Sequence, residues 1–342
     1  MADPAAGASR AALARDRSRR RLPHAAALAF FAASLLFALV AWRAGDGFYL
    51  RLASEALIFS GLAVSVDILL GYTGLLSLGQ ALYFGLGAYV SALVLKDVAP
   101  SFWLALGAAL AAGTILGLIG GLIANRVSGI YFALITFGMA QVAAKIVYNI
   151  PALGASDGII GIPPVAANFL LFTVRSDSPA GFFLVSLGAA AVLYGGLSYL
   201  MGTPFGRTLQ AIRANQDRVA FLGYNLMLYK VLAFVLAADV AAVAGAFYPM
   251  LRGFVSPELL YFETSGNAVI TALIGGVGTL IGPIIGSALL TALRSVLGSY
   301  TEHHLIVIGT LFMLAVLFLP SGLLGLVRAW SERGRAAREA AS

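Results

Sequence analysis

The chain has 342 residues, of which 60% are apolar and 11% charged, with a net charge of +7. Average proteins are about a quarter charged, and at a mean hydropathy of +0.92 too few polar side chains remain to coat a water-facing surface, which excludes a soluble protein and implies a polytopic membrane protein. The absence of cysteine excludes disulfides, thiolate metal sites, cysteine nucleophiles and iron–sulfur clusters.

In chain order, residues 1–23 form a basic tail with Arg10, Arg15, Arg17, Arg19, Arg20 and Arg21, and residues 328–342 form another with Arg328, Arg333, Arg335 and Arg338. The positive-inside rule places both tails in the cytoplasm, on either side of a membrane domain over 24–327. A crossing helix needs about 20 apolar residues. The expected crossings are Ala25–Trp42, Leu52–Leu70, Leu75–Leu95, Phe102–Ala124, Ile130–Tyr148, Gly181–Met201, Val231–Leu251 and Leu305–Leu326. No small-residue cleavage site follows the first run, so it is expected to be a retained helix and not a signal peptide. An outer loop over 149–180 is rich in Gly and Pro, and an inner loop over 202–230 carries Arg207, Arg213, Arg218 and Lys230.

Thr264–Leu293 carries no charge and as one helix would be about 45 Å long, too long for the bilayer. Gly275, Gly276, Gly278, Gly282 and Pro283 break it, giving two short crossings. The expected fold is therefore all-α with about ten transmembrane helices, and ten keeps 15 of the 22 Lys and Arg inside. Eight crossings result if Leu75–Leu95 and one half of the broken stretch are re-entrant. Gly113, Gly117 and Gly121, and again Gly282 and Gly286, repeat at four-residue spacing and mark close helix packing.

No phosphate-cradling GxxxxGK[ST] loop, HExxH pair, GxSxG elbow or carboxylate cluster occurs, so neither a nucleotide site nor a catalytic centre is expected, and no metal or cofactor. His24, His303 and His304 are the only imidazoles and suit the membrane interface. Arg51 and Glu55 are spaced for an ion pair on one helix, whereas Lys145 and Arg294 lie near outer helix ends and are expected to snorkel. Asp67 and Asp239 are the deepest ionisable residues and the candidates for a role in a pathway. Gly71-Tyr72-Thr73-Gly74 and Gly275-Gly276-Val277-Gly278 interrupt helices, and both a transport path and a plain turn fit such breaks.

Pro204 to Leu222 has an amphipathic helical period. Phe205, Leu209, Ile212 and Val219 share one face, and Arg207, Gln210, Arg213, Asp217 and Arg218 occupy the other. Pro204 suits a first helical turn and Gly223 the residue after the last. A helix resting on lipid headgroups and a lever against a cytoplasmic partner both fit.

The run Gly71-Tyr72-Thr73-Gly74-Leu75-Leu76-Ser77-Leu78-Gly79-Gln80, continuing through Phe84-Gly85-Leu86-Gly87-Ala88-Tyr89, resembles the signature of the branched-chain amino-acid ABC transporter permeases. Further blocks agree: Gly129 to Leu134, Gly154 to Gly158 with Gly161-Ile162-Pro163, Pro204-Phe205-Gly206-Arg207 through Arg213 to Gly223, Gly275 to Thr279 with Gly282-Pro283, and Leu317 to Leu323. Gln80 stands where histidine is frequent, and Ala155 where glycine is. The outer Ser156-Asp157-Gly158 stretch resembles the LivM type more than LivH. The resemblance implies a permease subunit of an inner-membrane importer of branched-chain amino acids. It further implies a LivH-like second permease, two cytoplasmic ABC ATPases and a periplasmic binding protein, with no role for nucleic acid. By the same resemblance the inner loop is the ATPase-coupling segment, carried by Pro204, Phe205, Gly206, Arg207, Leu209, Ile212, Arg213, Arg218 and Gly223. The Gly71–Gly79 run is also similar to urea-type permeases. The candidates for the substrate pathway are Asp67, Gly71, Tyr72, Thr73, Gly74, Gln80, Asp239, Gly275, Gly276 and Gly278.

Overall fold

The computed structural model describes residues 4–168, 173–300, 304–318 and 322–325, the first of these by backbone alone up to residue 22. The tail expected over 328–342, with its arginines, lies outside the described residues, as does His303.

Helices dominate because long apolar runs can satisfy their backbone groups only internally where water is absent. In order they are α1 (Pro4–Ala44), α2 (Gly47–Asp67), α3 (Gln80–Leu93), α4 (Phe102–Ala124), α5 (Ile130–Asn149), α6 (Pro179–Gly202), α7 (Pro204–Ala214), α8 (Gln216–Phe221), α9 (Leu226–Arg252), α10 (Phe262–Gly275), α11 (Ile281–Tyr300) and α12 (His304–Phe318). A π-helical turn, Ile68–Thr73, extends α2, and another, Val94–Val98, extends α3. In the loop over 149–180, β2 (Ala166–Asn168) pairs antiparallel with β3 (Thr173–Arg175), and β1 (Ile159–Ile160) pairs antiparallel with β4 (Phe254–Val255), which follows α9.

Among the described residues, eight helices are long and apolar enough to cross a membrane. The break in Thr264–Leu293 lies where the glycines put it, between Gly275 and Ile281, but it divides the stretch unequally. α11 runs on to Tyr300 and is one of the eight, whereas α10, with 14 residues, is about 21 Å long and falls short of a core about 30 Å thick. The third crossing expected from Leu75 also starts later. Residues 74–79 are not helical and α3 begins at Gln80.

α2 and α9 form the buried centre, with α3, α4, α6 and α11 packed around them. α9 supports this with small residues, since Ala237, Ala238, Ala241 and Ala242 are all fully buried. The glycine stripe of α4 faces it. A Cβ on Gly113 would lie 2.8 Å from the Ala242 Cβ, and one on Gly117 would lie 2.7 Å from the Ala238 Cβ. Small residues replace hydrophobic drive here, because lipid tails are as apolar as leucine. Hydroxyls complete the packing: Ser91 of α3 donates to the Ala246 carbonyl of α9 at 3.0 Å, and Ser287 of α11 donates to the Ala56 carbonyl of α2 at 2.7 Å.

The ion pair expected within α2 forms with a different partner. Glu55 accepts from Arg252 of α9 at 2.6 Å, and Arg51 is exposed. A pair between two helices fixes their register, which a pair within one helix cannot do.

Candidate functional site

Asp67 ends α2 and is fully buried. Its Oδ1 accepts a hydrogen bond from the Gly278 amide at 2.5 Å, and its Oδ2 accepts one from the Leu280 amide at 3.0 Å. Both donors lie in the break between α10 and α11, where Gly276 (φ +119°) and Gly278 (φ +80°) take up left-handed conformations that favour glycine. Leu280 has φ +58°, a conformation that costs a non-glycine residue about 1–3 kcal/mol and persists only where its surroundings enforce it. The Asp67 carboxylate supplies that enforcement by satisfying two amides that have no helical partner.

The first glycine-broken segment meets the second here. A Cβ on Gly71 would lie 2.6 Å from the Gly278 nitrogen and 2.8 Å from its Cα, so only glycine lets the two backbones touch. Thr73 bonds the Leu69 carbonyl at 2.5 Å, and Gly74 (φ +74°) closes the π-helical turn. π-turns within helices occur often at functional sites. Tyr72 is buried in the apolar core beside them.

α7 joins the same junction. Arg213 donates from Nη1 to the Gly71 carbonyl, and its Cγ would be 3.1 Å from a Cβ on Gly74. Leu209 and Ile212 are buried beneath it, whereas Arg207 and Arg218 are exposed. Phe205 stacks on Tyr229 of α9, centroids 5.9 Å apart. Gly206 approaches Met201 so closely that a Cβ would lie 2.6 Å from its carbonyl carbon. The single amphipathic helix expected from the sequence is in fact two. Asn215 interrupts it with φ −164° and caps α8, its side chain accepting from the Arg218 amide at 3.0 Å. Gly223, at φ +84°, follows α8. A polar cleft of about 400 Å³ lies between α7, the π-turn and the α9 terminus, lined in part by Thr73, Arg213, Asn215 and Lys230.

The remaining candidates lie elsewhere. Gln80 is fully buried at the start of α3, donating from Nε2 to the Ser77 hydroxyl at 3.3 Å while its Oε1 has no partner among the described residues. Hydroxyls from distant helices hold the chain on either side of it, Thr136 accepting from the Leu78 amide before Gln80 and Ser265 from the Ala81 amide just after it. Asp239 sits between α9 and α4, accepting from Thr114 Oγ1 at 2.8 Å. Gly275 is packed against Gly282, a Cβ there falling 2.8 Å from the Pro283 nitrogen. The sequence did not single out Leu280, and it marked Lys230 only as one of the basic residues of the inner loop, whereas its Nζ donates to Gln216 at 3.0 Å. It grouped Asp67 and the two glycine breaks as pathway candidates and set Arg213 apart in the coupling segment, whereas the fold brings all of them into one junction.

The described residues thus form a set of membrane-length helices whose breaks meet α7 at one junction. The family profile described as branched-chain amino acid transport system, permease component, matches residues 48–316. The chain belongs to that family and is a multi-pass membrane protein. Among its relatives, the high-affinity branched-chain amino acid transport permease LivM of Salmonella typhimurium is 27% identical over 81% of this chain and 70% of its own length. LivH of the same organism is 25% identical over 77% and 90%. The autoinducer 2 import permease LsrC of Yersinia pestis is 28% identical over 74% and 72%. No solved structure matches the chain.

Proposed function

We propose that the chain is the LivM-type permease subunit of an ATP-driven importer of branched-chain amino acids in a bacterial inner membrane, with both termini cytoplasmic. It pairs with a LivH-like permease, two cytoplasmic ATPases drive the pair, and a periplasmic binding protein delivers the solute. The segment from Pro204 to Gly223 receives the ATPase stroke. One observation carries this reading: α7 is linked through Arg213 to Gly71, and Asp67, one helical turn before Gly71, holds the α10–α11 break. Displacement of α7 therefore pulls on the end of α2 and on the break together, and a bundle that rocks as rigid parts opens alternately to either side.

The 28% identity to LsrC favours a second reading in which the same machinery carries a solute other than an amino acid. Ligand identification on the cognate binding protein separates the two. Reconstitution in vesicles tests the importer reading itself. Uptake is expected only with the ATPases and ATP, and uptake by this chain alone on an ion gradient overturns it.

A further inference from the structure

Beyond the break, α10 and α11 run back along each other as a hairpin and present matching polar stripes. Thr264, Asn267 and Thr271 lie at i, i+3 and i+7 of α10, and Ser287, Thr291 and Arg294 have the spacing i, i+4 and i+7 on α11. With Phe59 of α2 they line a cavity of about 100 Å³. In so apolar a chain a polar seam of this kind is costly unless it is used.

Its hydrogen-bonding is lopsided. The Thr264, Thr271 and Ser287 hydroxyls already donate to the carbonyls of Glu258, Asn267 and Ala56. Arg294 Nε is buried with no hydrogen-bond partner among the described residues. The carboxylate that bears on it electrostatically, Glu55, is held by Arg252 at 2.6 Å. No Asp or Glu lies within 4.0 Å of the Arg294 guanidinium among the described residues. Arg294 is six residues, about 9 Å, short of the end of α11, and its lining position faces α10 and α2. A fixed cation with free donors beside the Asn267 amide and the Thr291 hydroxyl is a receptor for an anion, and a guanidinium binds a carboxylate with two parallel hydrogen bonds.

We propose that this cavity is a carboxylate-binding station, with Arg294 as the anchoring cation and Asn267 and Thr291 as further donors. The cavity is small and lined with polar groups, which suits an amino-acid head group and leaves a branched side chain projecting from the open side. That the carboxylate belongs to a transported amino acid rests on the importer reading, whereas the anion preference does not.

Because the chain has no cysteine, Thr291→Cys introduces a single thiol. The full chain, with whatever subunits co-purify, is placed in phosphatidylcholine vesicles and labelled with an anionic sulfonatoethyl or a cationic trimethylammonioethyl methanethiosulfonate. Rates are normalised to free cysteine. The anionic reagent is expected to react roughly tenfold faster, as a charged hydrogen-bonding partner supplies. Arg294→Gln should bring the ratio to about one and Arg294→Lys should restore part of it. L-Leucine should slow labelling, and leucinamide, which lacks the carboxylate, should not. Equal rates, no reaction with either reagent, or equal protection by leucinamide overturns the proposal. Protection that requires phosphatidylglycerol in the bilayer assigns the cation to a lipid headgroup and overturns it too. Thr264→Cys provides a second thiol at the same cavity if the first variant fails to fold. An intact anion preference with no ATP-driven uptake removes the importer reading alone.

Discussion

Asp67 and Asp239 look alike in sequence, each a lone carboxylate in a long apolar run, and the structure separates them. Asp67 is fully buried and accepts from two amides of the break, whereas Asp239 is half-buried and accepts from one threonine. Asn at position 67 has one acceptor oxygen, so its amide nitrogen must face a second N–H donor. Asp67→Asn is expected to lower stability by about 1.5–3 kcal/mol, the range for hydrogen bonds to a charged group. Asp239→Asn keeps an acceptor for Thr114 and is expected to cost at most about 1 kcal/mol, as interhelical bonds in membranes do. Thermal unfolding of the two variants in detergent checks the order, and equal losses contradict the clamp. Gly71→Ala meets the Gly278 backbone, which cannot retreat as a flexible side chain would, and should be among the most damaging single-methyl additions.

At the scale of elements, the α7–α8 segment lies with its apolar face on the bundle and its arginines exposed, Arg213 among them. Arg213 differs from the other two in that its head group reaches back to the Gly71 carbonyl. Arg213→Ala is expected to leave ATP hydrolysis by the assembly running while solute uptake falls about tenfold or more, the size of one charged hydrogen bond. Parallel ATPase and uptake assays read the split, and a proportional fall in both points to lost assembly instead. Leu209→Ala removes a fully buried side chain under the same helix and should cost about 2–5 kcal/mol, appearing as lost stability with no such split. Asn215→Ala removes the α8 cap and should cost about 1 kcal/mol.

In the molecule as a whole, α9 is the shared wall on which α2, α3 and α4 pack, and its contacts with α4 depend on glycines. Gly117→Leu drives a large side chain into Ala238 and is expected to separate α4 from α9, reducing the yield of monodisperse protein in size-exclusion chromatography. Gly107 has nothing within 4 Å of its Cβ position, so Gly107→Leu on the same helix is the control expected to leave the elution profile unchanged.

Much of this arrangement was legible from residue order alone. The Phe102–Ala124 crossing coincides with α4 because polar or charged residues bound an uninterrupted apolar run. The break after Gly275 was legible because glycines and a proline concentrate there. The α3 start was not legible: residues 75–79 are apolar enough to continue a helix, and the hydroxyl that takes up the Leu78 amide comes from Thr136, 58 residues away, while Ser265, 184 residues from Ala81, takes up an amide in the first turn of α3. The Glu55 partner was misjudged for the same reason, since helical spacing favours Arg51 while packing brings Arg252.

The sequence by itself determined that this chain belongs in lipid, where most of its long helices run and which family it joins, because hydropathy and short motifs are local properties that survive in a string of letters. Only the tertiary structure decided that Asp67 clamps a break 211 residues distant, that Arg213 ties the surface helix to it, and that Arg294 faces a polar cavity. Those are contacts between helix faces. In a medium with no hydrophobic preference between helices, such contacts are selected by close packing and hydrogen-bond complementarity, and although a four-residue glycine spacing marks a packing face, nothing along the chain names the partner which that face meets.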